Sequence, residues 1–533
     1  MKGDGIIGHG QGDSERESIH KESKEQSEGS EEANGDNGSK EQDLEGQLTR
    51  QSTQTEIYSA FSFRQRFFIT AMACIACLFS PLSINIYFPA LNTLADHYSV
   101  SSGLINLTIT MYSIMQAIAP AFFADLGDEA GRRPAFLLSM IIYFAANIGL
   151  ALQDSYAALM VLRLIQSAGS SGTVSLSKGN IADIAPPSKR GSYMAFSVAG
   201  AMLAPALAPV LGGILAQFLG WRSIFWFLLI LSALFLVPYF LFVPETNRKV
   251  VGNGSIPPQR WYNKSGLELV RLGGRKDGSN DGVPKKSMGY PRPWKTVTIL
   301  RHKDVFIINF YVAYMYAAFY TAMAALPQVF NDIYGFNDLQ IGLCYLPLGG
   351  GAAIAAIFNG KMLDWNYRRI ARKHGFPVDS KRQHDMRKFP IEEARISANS
   401  FFILLGNAAL LCYGWALDQR SPLPGPLVLL FFMGVAMIIG MNSLGVLLVD
   451  LFPHNASTVS SATNLCRCVF GAVATAVIDP MIKAMGLGWC YTLISLVAFA
   501  MTPCLWIEEK YGPIWREERY KRLDEKKRRK EGS

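Results

Sequence analysis

Residues 222–243 read RSIFWFLLILSALFLVPYFLFV, one base followed by 21 residues without a charge. Wound as a helix at 1.5 Å per residue, the uncharged run extends about 30 Å, the thickness of a bilayer's hydrocarbon core. Comparable runs recur at about 66–88, 103–124, 133–152, 156–178, 191–214, 304–328, 340–362, 396–416, 426–449, 457–480 and 487–507. A soluble chain of 533 residues would suggest three or four domains, and this pattern excludes that. Composition agrees: half of the residues are hydrophobic and 17% are charged, against about 25% in ordinary soluble chains. The expected fold is an all-α membrane protein of twelve spans.

The spans fall into two sets of six, 64–243 and 304–507, separated by the polar, basic stretch 244–303. Thirteen Lys and Arg lie between Arg248 and Lys303, ten between Lys361 and Arg395, and ten from Lys510 to Lys530. The loops of the other side contribute only Arg222, Arg420 and Lys483. Positive loops stay on the cytoplasmic side, so both termini, the linker and the basic tail 508–533 are expected there. The same rule accounts for the net charge of +9 without a nucleic-acid partner. Residues 1–63 hold six bases against fourteen acids and almost no large apolar residues, the composition of a disordered acidic tail. The eight cysteines lie in or beside apolar runs, and Cys74 and Cys77 lack the second pair or His partner that a metal site needs. No cofactor or metal is expected.

Ionisable groups within a span each cost roughly 2.5–3.5 kcal/mol unless they meet a partner or a cavity. Two stand out at mid-depth, Arg163 in the fourth span and Arg467 in the eleventh, whereas Asp125, Asp183, Asp304, Asp364, Asp450 and Asp479 fall at span ends. Arg163, Gln166 and Ser170 share a helical face, as do Ser460, Asn464 and Arg467. One reading is a wet path in which each planar guanidinium holds an anion through parallel hydrogen bonds. The other is that each Arg donates to backbone carbonyls or a neighbouring helix. Asn85, between Pro81 and Pro89, either lines a cavity or bonds a neighbour. Asn309, Tyr316 and Tyr320 make a comparable face in the seventh span.

The turn Asp128-Glu129-Ala130-Gly131-Arg132-Arg133-Pro134 combines an acid with two bases. It serves either as a lock on helix ends or as a topology-setting basic turn. In the fifth span, Gly200 to Gly213 places small residues every fourth position, with Pro205 and Pro209 as kinks. That suits close helix packing and hinging.

These segments resemble the motifs of the major facilitator superfamily. Asp128, Gly131, Arg132 and Arg133 match its loop 2–3 motif; Arg163, Gln166 and Gly169 match that of the fourth span. Ala208-Pro209-Val210-Leu211-Gly212-Gly213 resembles the antiporter motif of the fifth. Asn85 to Ala90, Pro244-Glu245-Thr246 and Tyr511 to Arg516 are similar to the fungal drug:proton antiporter-1 group, near its quinidine-resistance and citrate-exporter branch. The resemblance implies alternating access between two six-helix halves with the substrate between them, and export usually driven by protons. No mid-span carboxylate offers itself as the proton carrier.

The expectation is a monomeric, multi-pass plasma-membrane exporter of small organic anions, di- or tricarboxylates or carboxylated secondary metabolites. Arg163 and Arg467 would hold the anion; Asn85, Gln166, Asn464, Asn309 and Tyr316 would line its site. Asp128, Gly131, Arg132 and Arg133, with Pro209, Gly212 and Gly213, would serve gating. Tyr311, Tyr314, Tyr316 and Tyr320 keep a broad exporter of uncharged or cationic drugs open, and a transport-dead nutrient sensor is the remote alternative. An enzyme is not expected, because no nucleophile–base pair, metal cluster or phosphate-binding loop is recognisable.

Overall fold

Inside lipid a backbone must satisfy its own N–H and C=O groups, so an uncharged run of this length folds as a helix. The computed structural model describes residues 59–185, 187–258, 260–267, 297–375, 389–452 and 456–531, and every regular element among them is helical. The first long helices are α1 Phe63–Asn85, α2 Ser102–Glu129, α3 Arg132–Leu152, α4 Tyr156–Ile184, α5 Pro187–Leu219 and α6 Arg222–Phe242. Those following are α7 Lys303–Tyr334, α8 Leu346–Lys373, α9 Ser400–Asp418, α10 Pro424–Leu451, α11 Ala456–Met485 and α12 Leu487–Glu531. Short helices Phe88–Ala90, Leu91–Tyr98 and Asp338–Cys344 connect some of them. Reciprocal capping boxes, Ser62 with Gln65 and Asn337 with Gln340, start α1 and the Asp338–Cys344 helix by satisfying N–H groups that a first turn leaves bare.

Among the described residues, ten helices are long and apolar enough to cross a membrane. α4 falls short because it carries Arg163, Gln166, Lys178 and five serines, and the described apolar part of α5, Ala204–Leu219, is short. α6 shows how such a helix is used. Trp226, Ile230, Leu234 and Val237 stay exposed along one stripe while Phe225, Leu228, Phe235 and Tyr239 are buried on the other. In water that exposed stripe would cost about 25 cal/mol per Å², whereas in lipid it costs nothing. α7 is the inner counterpart: two thirds of its apolar stretch is buried, against 39% for α6, α9 and α12.

Several helix ends differ from the sequence expectation, and three of them bear on the site and the tail. α1 stops at Asn85 and the chain continues through the 3₁₀ turn that contains Pro89. α8 continues to Lys373 instead of ending near residue 362. α12 runs on to Glu531, through the segment expected as a basic tail. Charged residues were read as loop, but spaced four apart they support a helix, as Glu517 with Lys521 at 2.9 Å does here. Residues 1–58 of the expected acidic tail lie outside the described residues.

The packing brings distant segments together. α2 packs on α4 and α11, α7 on α11, α8 on α10, α1 on α5, and α5 on α8. The α5 contacts depend on missing side chains: a Cβ on Gly212 would collide with the carbonyl of Ile86, and one on Gly213 would stand 2.5 Å from that of Asp338.

Candidate functional site

Arg163 is fully buried within α1–α4 and the turn after α1. Its guanidinium carbon lies 4.1 Å from the Tyr87 ring centroid and 4.6 Å from that of Tyr112, so the cation is held between two aromatic faces. Nη1 donates to Gln166 Oε1 at 2.6 Å and to the Ser83 carbonyl at 3.3 Å. Gln166 is oriented by donating to Asn147 Oδ1 at 2.7 Å, and Asn147 donates to the Tyr143 carbonyl at 2.8 Å. Tyr87 shares a hydrogen bond with Thr108 at 3.0 Å, and Tyr112 with Ser170 at 2.7 Å, which fixes both rings. The spacing of Arg163 and Gln166 thus does join them, in a network sealed from the surface.

Arg467 is placed differently. It is only partly buried, its Nη2 donates to Asn464 Oδ1 at 2.8 Å, and its guanidinium carbon is 4.9 Å from the Tyr316 ring centroid. Tyr316 stacks on Tyr320 at 4.3 Å. Each arginine thus lies against tyrosine rings of its own, Arg163 against Tyr87 and Tyr112 and Arg467 against Tyr316. Asn464 Nδ2 donates to the Gln116 carbonyl at 3.1 Å, tying α11 to α2. Gln116 in turn donates to Ser80 Oγ at 3.0 Å.

A third cation belongs here that the sequence reading passed over. Lys178, near the end of α4, has an exposed side chain. It feels the charge of Arg467. The signal available in the sequence was its place at the end of the fourth span, where a lysine reads as an interfacial anchor. The uncharged polar residues Gln116 and Asn147 were likewise missed, and the depth of each in its span was the available clue.

The remaining expected residues divide. Asn309 accepts from Thr463 Oγ1 at 2.6 Å while its Nδ2 is buried without a partner, and it lies two turns from Tyr316 on the same face of α7. Asn85 turns back on its own helix, donating to the Pro81 carbonyl at 2.6 Å, and its buried Oδ1 has no partner.

The Asp128 turn is tighter than a loop, since only Ala130 and Gly131 separate α2 from α3. Arg132 pairs with Asp128 at 2.5 Å and Asp183 at 3.0 Å. Arg133 is buried and donates to the carbonyls of Val243, Tyr262 and Phe240 at 3.1, 3.0 and 2.7 Å, so it ties α3 to the chain leaving α6. Glu245 organises the corner. Its Oε1 accepts the backbone N–H of Arg132, Thr246 and Asn247 at 2.8, 3.0 and 2.9 Å, and its Oε2 that of Arg133 at 3.1 Å. Burial pushes this carboxyl up, against the downward pull of those four donors. Gly131 is required twice over: its φ is +117°, and a Cβ there would lie 2.5 Å from Glu245 Oε2.

At the opposite ends of the helices, Thr93 Oγ1 donates to Asp338 Oδ2 at 2.6 Å and Asn92 Nδ2 to the Pro327 carbonyl at 2.8 Å. Thr110 Oγ1 bonds the Ala472 carbonyl at 3.2 Å and Thr475 Oγ1 at 3.0 Å. Segments before residue 111 and after residue 326 are thus stitched together there.

The sequence profile of the Major Facilitator Superfamily matches residues 73–475. The chain is a member of that family. It is therefore a multi-pass membrane transporter and not an enzyme, and its curated relatives are fungal. It is 43% identical to the MFS-type transporter phiD of a fungal species over 475 residues, 88% of this chain and 72% of that one. It is 33% identical to citrate exporter 1 of Aspergillus niger over 488 residues, 90% of this chain and 92% of that one. The partially occluded inward-open xylose transporter XylE from E. coli has the same fold, with a TM-score of 0.55 at 14% identity, covering 84% of this chain and 99% of that one.

Proposed function

We propose that this transporter exports small organic anions, di- or tricarboxylates or carboxylated secondary metabolites, across the plasma membrane. The observation that carries the reading is Arg467: a guanidinium at mid-span, partly exposed, 4.9 Å from the Tyr316 ring centroid, with the Lys178 cation close by. A cation in that position is costly to keep unless an anion meets it. Asn464 holds the Arg467 fork, and Asn309, Tyr316 and Asn85 extend the polar lining. Arg163 and Gln166 form the second cationic layer. Citrate exporter 1, a relative named for the export of an organic anion, supports the same substrate class.

Transport proceeds by alternating access between two six-helix halves, 64–243 and 304–507, of a twelve-span monomer. Both termini and the linker 244–303 are cytoplasmic. In this reading the Thr93–Asp338 and Asn92–Pro327 bonds close the outer side, and Lys178 faces the cytoplasm. Asp128, Gly131, Arg132 and Arg133 form the cytoplasmic latch, and Pro209, Gly212 and Gly213 the close-packed hinge on the Asp338–Cys344 helix and the turn after α1. Protons are the expected coupling ion, carried on the substrate or on an acid at a span end.

The test is efflux of labelled citrate and other carboxylates from proteoliposomes. Losing one charge-assisted pair at about 1.5–3 kcal/mol, Arg467→Ala should cut carboxylate transport by roughly 10- to 100-fold. Unchanged efflux from Arg467→Ala would end the anion reading. The rings of Tyr112, Tyr316 and Tyr320 favour a second reading, an exporter of uncharged or cationic drugs. In that case the same variant would keep drug resistance in whole cells.

A further inference from the structure

Where the start of α7 meets α12, a crevice of about 450 Å³ opens on the outer surface of the bundle. Arg301 and Lys303, both exposed, stand on one rim, and Phe306, Ile307, Ile507 and Trp515 form the walls. Phe306 and Ile507 are 53% and 43% exposed, apolar surface that water would penalise and lipid would not. The apolar lining extends along α12, where Tyr511 stacks on Trp515 at 6.3 Å and Ile514 is exposed.

This crevice gives a role to the Tyr511 to Arg516 motif. Arg516 faces inward, donating to the Phe389 carbonyl at 2.9 Å and pairing with Glu392 at 3.4 Å. Arg519, one turn on, pairs with Asp304 and donates to the Leu451 carbonyl at 3.2 Å. Those two cations are used within the protein and pin α12, so Trp515 is held at the crevice. Arg301 and Lys303 face the other way.

The crevice lies at the level where the seventh span begins and the twelfth ends, the boundary between hydrocarbon and head groups. Cations at that level with apolar walls running into the span match an amphiphile. A soluble anion would leave the walls wet, and a neutral lipid would leave the cations without a counter-charge. We propose that the crevice holds one anionic phospholipid of the cytoplasmic leaflet, its phosphate against Arg301 and Lys303 and an acyl chain along Phe306, Ile307 and Ile507. The choice of leaflet rests on the topology proposed above; the binding does not depend on the substrate.

The test is native mass spectrometry of the full-length protein titrated with phosphatidylserine or phosphatidylcholine. At about 1 kcal/mol per basic residue near the head groups, each single neutralisation should weaken phosphatidylserine retention about fivefold, and Arg301→Gln with Lys303→Gln roughly 30-fold. The charge-preserving pair Arg301→Lys with Lys303→Arg should keep the lipid, which separates lost charge from lost folding. Arg368→Gln with Arg372→Gln, on the exposed basic face of α8, should also keep it. Free glycerophosphoserine should fail to displace the lipid, because it has no acyl chain. The proposal is overturned if the Arg301/Lys303 pair retains phosphatidylserine at the wild-type level, or if the α8 pair loses as much. Equal retention of phosphatidylcholine, or displacement by the free head group, also overturns it. Lipid binding that survives while Arg467→Ala transports carboxylates normally would sink the substrate reading alone.

Discussion

Oε1 of Glu245 accepts the backbone N–H of Arg132 at 2.8 Å across 113 residues of chain. One carboxylate from the end of α6 thereby caps the first turn of α3, where N–H groups lack helical partners and carry partial positive charge. Through the same group the start of α3 and the chain leaving α6 are tied together.

Gly131→Ala should break this corner. The residue's φ of +117° excludes a side chain, and the new methyl would push on Glu245 Oε2. A loss of about 1–3 kcal/mol is expected, read as a lower thermal midpoint of the detergent-solubilised protein. An unchanged midpoint would mean that the corner relaxes freely.

Glu245→Gln keeps the shape but turns an NH₂ group toward backbone donors. With at least one buried donor left unpaired, about 1–3 kcal/mol of stability should be lost. Limited proteolysis should show faster cleavage near residues 248–258. Wild-type proteolysis rates would refute the capping role.

Arg163→Lys and Arg467→Lys should separate structure from transport. An ammonium cannot lie flat between Tyr87 and Tyr112 while reaching Gln166, so Arg163→Lys should lower the thermal midpoint, by about 2 kcal/mol of lost cation–π contact. Arg467→Lys should leave the midpoint alone and raise KM for carboxylates, since the charge stays and the fork is lost. Equal thermal shifts in the two variants would contradict the difference in burial.

Lys178 should react with a water-soluble amine reagent added from the cytoplasmic side only, and a bound carboxylate should protect it. Labelling from the outer side, or none from either, would show that Lys178 does not face the cytoplasm as proposed.

Much of this was legible from the chain itself, and for definite reasons. Arg163 and Arg467 stand out because a charge inside an apolar run is conspicuous. The tyrosines that enclose Arg163 are not, because an aromatic in such a run reads the same whether it packs on a cation or on leucine. Lys178 hid at a span boundary, where lysines are ordinary. Glu245 sits in the Pro244-Glu245-Thr246 motif, yet two of its four partners are backbone N–H groups more than 110 residues earlier, which no local pattern reveals. The overrunning ends of α8 and α12 were missed because polarity was taken for loop, although charges four apart stabilise a helix.

The length of α12 has a practical consequence. Its 45 residues span about 68 Å, more than twice the hydrocarbon thickness, so it protrudes as a rod braced at Arg516 and Arg519. A fluorophore joined beyond Glu531 would be carried by that rod and not tumble freely, and its polarisation would report the tilt of the helices to which the rod is clamped.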